Sequence, residues 1–208
     1  MNILKSLNTA ALLLALPCLV AGCASGGRNF NPERIASLEL GKTRSSDYQT
    51  LFGEPDASRL ENTADGKFES VRYGYGNSAM GTASVRIHEL EFRDGLLNAY
   101  QYASSFDADK TKMNSTQLNQ LQRGTSKKAD VLQMLGRPHR MARCPSRSSD
   151  FKDRCGKGAE VWVWHDLGKL SVSGAGYGNY RVKASSIAAV FDTNDVLTDI
   201  ESVQTNKH

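Results

Sequence analysis

The feature that most constrains this chain is that it repeats itself. Leu38, Gly41, Asp47, Gly53 and Pro55 return as Leu121, Gly124, Asp130, Gly136 and Pro138, always 83 residues further on. Ile35/Leu118, Thr43/Ser126, Arg44/Lys127, Leu51/Met134 and Phe52/Leu135 match in kind across the same 21 positions without a gap. Self-similarity at a fixed period means that one structural unit is used twice, and it decides the architecture before any local propensity does.

The unit reads as two short helices. Pro32 suits the first position of a helix, and Ile35 and Leu38 share a face at i, i+3. Gly41 ends that turn. Thr43 is placed to cap the next helix, whose apolar stripe is Tyr48, Leu51 and Phe52. Gly53 stops it and Pro55 forbids its return. The second copy offers Leu118 and Leu121, then Gly124, a Thr125 or Ser126 cap, the stripe Val131, Met134, Leu135, then Gly136 and Pro138.

Strand patterns follow each pair. Val71–Tyr75 alternates, and Val85–Phe92 and Leu96–Tyr102 flank the hairpin turn Arg93-Asp94-Gly95. Later come Val161–Trp164, then Ile187–Phe191 and Val196–Val203 around Asp192–Asp195. The predicted fold class is α+β. Two tandem units, 32–105 and 116–208, each carry two short helices followed by an antiparallel sheet of three or four strands. The polar segment 106–115 joins them.

The amino terminus has a different character. Lys5 precedes the apolar block Ala10–Val20, and small residues follow before Cys23. This pattern reads as an export signal over residues 1–22, not as a transmembrane helix. Without it the chain holds 25 basic and 22 acidic residues, a formal charge of +3. So mild a balance without clustered Lys and Arg argues against a nucleic-acid surface. Cys18 leaves with the signal. Cys144 and Cys155 remain as an even pair in an oxidising compartment and read as a disulfide. A metal site is the other reading of the pair, with only two thiols and no partner at ligand spacing for His165.

Two resemblances add to these readings. Val20-Ala21-Gly22-Cys23 resembles the lipobox of bacterial lipoproteins. That implies cleavage before Cys23, acyl chains such as palmitate on Cys23, and a tether over 23–31 whose free residues span roughly 15 Å. Ala24, rather than Asp, implies sorting to the outer membrane, with the body facing the periplasm. The other reading is an ordinary secreted protein in which Cys23 is incidental. Gly124, Thr125, Leu135, Gly136, Pro138, Trp162, Trp164, Phe191, Val196 and Leu197 resemble, in order, the BamE (SmpA/OmlA) lipoprotein domain. Gly41, Thr43, Phe52, Gly53, Pro55, Tyr73, Tyr75, Phe92, Gly95 and Leu96 match it less closely. BamE has one such unit, and two in tandem resemble the β-lactamase inhibitory protein fold.

Chemistry is sparse. Gly174–Gly178 is glycine-rich, but no P-loop lysine follows it. Ser171 and Ser173 sit in no nucleophile elbow. His88-Glu89 and His165-Asp166 are isolated pairs, and no His/Asp/Glu cluster has metal spacing. No catalytic residue, cofactor, metal or small-molecule substrate is expected. The candidate partner-binding residues are Tyr73, Tyr75, Trp162, Trp164 and Arg143. Each aromatic pair alternates and so shares a sheet face. That face either packs under the helices or stands exposed as a concave grip, since Trp, Tyr and Arg dominate binding hot spots. Arg143 heads a basic loop with Arg147, Lys152 and Arg154, which either meets anionic headgroups or is simply solvated. The function implied by resemblance is a binding or scaffold module in envelope assembly, in contact with the membrane through its lipid and with a protein partner. The alternative is an inhibitor that clamps a periplasmic or extracellular enzyme.

Overall fold

Both glycine-ended helices form where the stripes place them. α1 (Ser45–Phe52) buries Tyr48 and Phe52, and α2 (Lys128–Leu135) buries Val131 and Leu135. The computed structural model describes residues 24–79, 82–109, 115–156, 158–167, 171–173 and 179–207; the expected export signal and Cys23 lie outside them. Asp47 and Asp130 stand in the first turn of each helix. Their carboxylates accept the cap backbone N–H of Arg44 at 3.4 Å and of Lys127 at 2.8 Å. Gly53 and Gly136 close the helices at φ +79° and +73°, which glycine adopts at little cost.

Thr43 and Ser126 do not cap these helices. Their hydroxyls accept the backbone N–H of Glu39 and of Gln122, both at 2.9 Å, and so fix the turn that precedes each helix. The same turn docks on the distant hairpin in both halves. Gly41 N donates to Leu97 O at 2.7 Å, and Gly124 N to Leu197 O at 2.8 Å. Thr43 O and Ser126 O in turn accept Leu97 N and Leu197 N, both at 2.8 Å.

The predicted α+β class, two units each with two helices and its own sheet, is corrected on two counts: the described residues are mostly antiparallel sheet, with few helices. Pro32–Ser37 and Ser115–Gln120 are six-residue 3-10 turns, not helices of α type. The first offers only Ile35 and Leu38 to the core. An i, i+3 pair suits 3-10 geometry, and nothing in so short a segment rewards extending it. The sheet, moreover, is continuous. Strands β1 (Ala24–Gly27), β3 (Gly66–Ala79), β4 (Thr82–Arg93), β5 (Leu96–Ser104), β6 (Arg140–Arg143), β7 (Glu160–Leu167), β9 (Asn179–Phe191) and β10 (Leu197–Lys207) follow one another across it. β2 (Ala57–Thr63) pairs with β3, and β8 (Ser171–Ser173) with β9. All pairs are antiparallel. β5 and β6 fuse the halves through Ala99/Ala142, Tyr100/Met141 and Gln101/Arg140. Each half alone would leave an open strand edge; pairing the two edges removes it. A third helix, α3 (Ser149–Cys155), lies on the other face.

The segment after Cys23, expected within the tether, enters the sheet. Ala24 pairs with Ser78 and Gly27 with Tyr75. Phe30 then turns inward against Phe52 and Tyr102. Asn29 accepts Arg86 Nη1 at 2.7 Å, and Arg86 grips Asp109 at 2.6 and 3.0 Å. Burial works against the Asp109 charge. Hydrogen bonds from Arg86, Ser104 and Tyr102 outweigh it and hold the carboxyl below its ordinary range.

Candidate functional site

Because side chains alternate along a strand, the sheet has two faces. The helix face holds two apolar clusters. Val71, Tyr73, Leu90, Phe92 and Tyr100 pack with α1, and Trp162, Trp164, Ile187 and Phe191 with α2. Tyr73 donates its hydroxyl to Gly53 O at 2.8 Å, and Trp164 donates Nε1–H to Gly136 O at 2.9 Å. Each aromatic thus satisfies a carbonyl at the end of the helix above it.

This decides the aromatic candidates. Tyr73, Trp162 and Trp164 are buried, with 4%, 6% and 1% of their surface exposed, so they form core under the helices and offer nothing to a partner. Tyr75 is half-buried and stacks on Phe106, with ring centroids 5.8 Å apart. Arg143 is exposed, and its guanidinium lies so close over Gly41 that a Cβ there would sit 2.0 Å from Nη1. The two strand pairs therefore do not join into one gripping surface. In the basic loop, Arg147 pairs with Glu61, and Arg154 Nη2 lies 3.7 Å from Glu201 Oε2. The Lys152 side chain lies outside the described residues, as do Gly174–Gly178.

The opposite face is polar where no helix covers it. Arg72, Glu89, Gln101 and Arg140 stand on β3, β4, β5 and β6, each Cα-paired with the next. Their side chains are linked in the same order. Arg72 Nε lies 3.6 Å from Glu89 Oε1, and Gln101 Nε2 donates to Glu89 Oε2. Arg140 Nε donates to Gln101 Oε1 at 2.9 Å, while Arg140 Nη1 lies 3.4 Å from His165 Nε2 on β7. One polar row thus crosses five neighbouring strands. Such a row fixes long side chains before any contact is made, which lowers the entropy lost on binding.

α3 rises beside this row. Phe151, 1% exposed, covers the apolar patch Ala99, Ala142, Val161, Val163, Ala188 and Val190. The Cys144–Cys155 disulfide, Cα atoms 5.1 Å apart, closes the loop that carries the helix. Asn98 Nδ2 donates to Glu91 Oε1 at 2.7 Å and to the carbonyls of Arg143 and Pro145 at 3.2 and 3.0 Å. Glu91 also accepts Arg147 N at 2.8 Å. The loop is therefore held over the sheet by buried polar groups, and Arg147–Glu61 ties it across to β2. Between loop and sheet lies an open cleft of about 700 Å³. Its walls include Arg59, Ser70, Arg72, Glu89, Gln101, Arg147 and Phe151.

His88 is fully buried among Phe30, Tyr48, Phe52, Tyr100 and Tyr102. Burial, with Arg137 nearby, pushes its pKa down to about 3, so it is neutral, and its Nδ1 lies 3.0 Å from Tyr48 Oη. His88 and its neighbour Glu89 face opposite sides of β4. Among the described residues no group of three or more His, Cys, Asp or Glu could hold a metal ion.

The sequence reading missed the polar row. The alternation that puts Tyr73 inward puts Arg72 outward, but Glu89, Gln101 and Arg140 come from strands whose register no single segment reveals. No protein-family model and no characterised protein sequence matches the chain, so neither comparison supports the BamE assignment. Among solved structures, a "putative beta-lactamase inhibitor protein" from Streptococcus mutans is similar. The two share 15% identity over 82% of this chain and 93% of that one, with a TM-score of 0.49.

Proposed function

We propose that this chain is a lipid-anchored binding module of the outer membrane, facing the periplasm, that holds a protein partner on the polar face of its sheet. The observation that carries the reading is the fixed row Arg72–Glu89–Gln101–Arg140–His165 beside the loop-walled cleft. The row presents both charge signs with guanidinium groups at hand, a composition suited to protein recognition more than to a uniformly charged polymer. The cleft gives a projecting segment of the partner somewhere to enter. The anchor rests on the lipobox residues ending at Cys23. The role is that of a scaffold: it keeps a partner at the membrane surface.

The test is site-specific photo-crosslinking in intact cells. A crosslinking residue at Arg59 or Arg72 should give a discrete adduct with a membrane-associated protein, and one at exposed Leu132 on α2 should not. Adducts from Leu132 alone would move the interface to the helix face and overturn this reading. A soluble hydrolase as the captured partner would replace the scaffold role with inhibition. Cys23→Ser should abolish acylation, and an unchanged mass and membrane fraction would remove the anchor.

A further inference from the structure

The strand that follows Cys23 fixes how the molecule stands on its membrane. We propose that β1 makes the lipid anchor rigid, so that the β3–β4 end of the sheet rests on the headgroups and the candidate face is held upright above them. The inference builds on the lipoprotein reading of Cys23 and adds an orientation to it.

Three observations carry it. First, no free tether separates the anchor position from the body. Ala24, one residue on from the anchor position, is already paired with Ser78, next to the last pairs of the β3–β4 ladder, Ser78/Ala83 and Ala79/Thr82. Second, the start of the chain is locked into the fold. Gly27, at φ +78°, lets β1 press against Gly74: a Cβ there would sit 2.0 Å from Gly74 O. Asn29 is held by Arg86, and Phe30 is buried. Third, charge is distributed unevenly along these strands. Gly74 to Val85 contains no charged residue. The other end of the same strands carries Glu61, Asp65, Lys67, Glu69, Arg93 and Asp94. An uncharged end beside the anchor and a charged end in water is the polarity a membrane-standing body needs.

The geometry sets a height. At about 3.3 Å per residue, β3 lifts the β2–β3 turn roughly 40 Å from the headgroups and places Arg72 roughly 20–25 Å above them. A partner must present its contact at that height, which suits the periplasmic part of a membrane protein.

Fluorophores on single added cysteines test the stance. Val85→Cys lies near the membrane end and Asp65→Cys at the far end. The full-length acylated protein is reconstituted into phosphatidylethanolamine/phosphatidylglycerol vesicles that carry a headgroup nitroxide quencher. Quenching at residue 85 should exceed that at residue 65 by at least threefold. Gly27→Val, which undocks β1, should erase the difference while the mass of the acylated protein is unchanged. Equal quenching at both sites in acylated protein overturns the fixed stance and leaves the lipoprotein reading intact. A difference that survives Gly27→Val overturns the role of β1. Protein without lipid on Cys23 overturns the lipoprotein reading itself, and the stance with it.

Discussion

Tyr73 and Trp164 do the same work in the two halves with different chemistry. Each reaches up from the sheet to the carbonyl of the glycine that ends the helix above it. Tyr73→Phe removes that hydrogen bond alone and should cost about 1 kcal/mol in a urea unfolding experiment. Trp164→Phe also leaves a cavity and should cost more, about 2–3 kcal/mol. Equal and negligible effects would show that the struts do not matter. His88 gives a second prediction at this scale. An unfolded histidine titrates near 6.5, whereas folded His88 titrates at about 3. Between those values the unfolded chain binds a proton that the folded chain refuses, so stability is full above pH 6.5 and falls as the pH drops. At about 1.4 kcal/mol per pH unit, the loss from this group between pH 7 and pH 5 is about 2 kcal/mol. His88→Leu should be less stable at pH 7 yet lose less on going to pH 5. A slope equal to that of the unaltered protein would assign the pH dependence elsewhere.

At the scale of elements, what was legible depended on whether a segment carried its own pattern. α1 and α2 could be read because the apolar stripe and the closing glycine agreed; the start was misassigned to Thr43 and Ser126, whereas the first-turn aspartates do the capping. The hairpin at Arg93-Asp94-Gly95 announced itself in the same way; Asp94 and Gly95 both take positive φ. β2 carries no such pattern, since Ala57–Leu60 are exposed whichever way they face. β6 is only four residues long and exists because neighbours on both sides complete its ladder. Among the described side chains of α3, Phe151 is the buried anchor, and the helix owes its place to the disulfide, which the sequence offered, and to the Asn98–Glu91 contacts, which no local window contains. Cys144→Ala with Cys155→Ala should therefore release α3 before it harms the rest. The two cysteines are 11 residues apart, so loss of so short a closure costs at most about 3 kcal/mol. Hydrogen exchange should rise over 144–156 and stay unchanged in β3 and β4. A uniform rise across the sheet would mean that the loop supports the core itself.

At the scale of the whole molecule, the repeat marked two equivalent turn-and-helix segments, but it did not show that their strands join into one sheet. The seam is narrow in backbone terms, three residue pairs between β5 and β6. It is reinforced by Arg137, just past the end of α2, whose guanidinium donates to Ala36 O at 2.7 Å, Ile35 O at 2.5 Å and Leu38 O at 3.2 Å. One side chain of the second half thus satisfies the carbonyls at the end of the first half's 3-10 turn. Tyr100 adds a bond from its hydroxyl to Pro138 O at 3.2 Å. Hydrogen bonds to a charged donor are worth about 1.5–3 kcal/mol, and cutting this one leaves carbonyls at the seam without a partner. With the seam intact the sheet should unfold as one cooperative unit. The tryptophans allow a direct check, because both, Trp162 and Trp164, lie in the second half. In the unaltered protein the urea midpoint from tryptophan fluorescence should coincide with that from hydrogen exchange in β3 and β4. In Arg137→Ala the two should separate, with the first half, which loses the bonds to its turn, unfolding at the lower concentration. Coincident midpoints in that variant, both merely lowered, would show that the remaining backbone and side-chain bonds across the seam suffice to couple the halves.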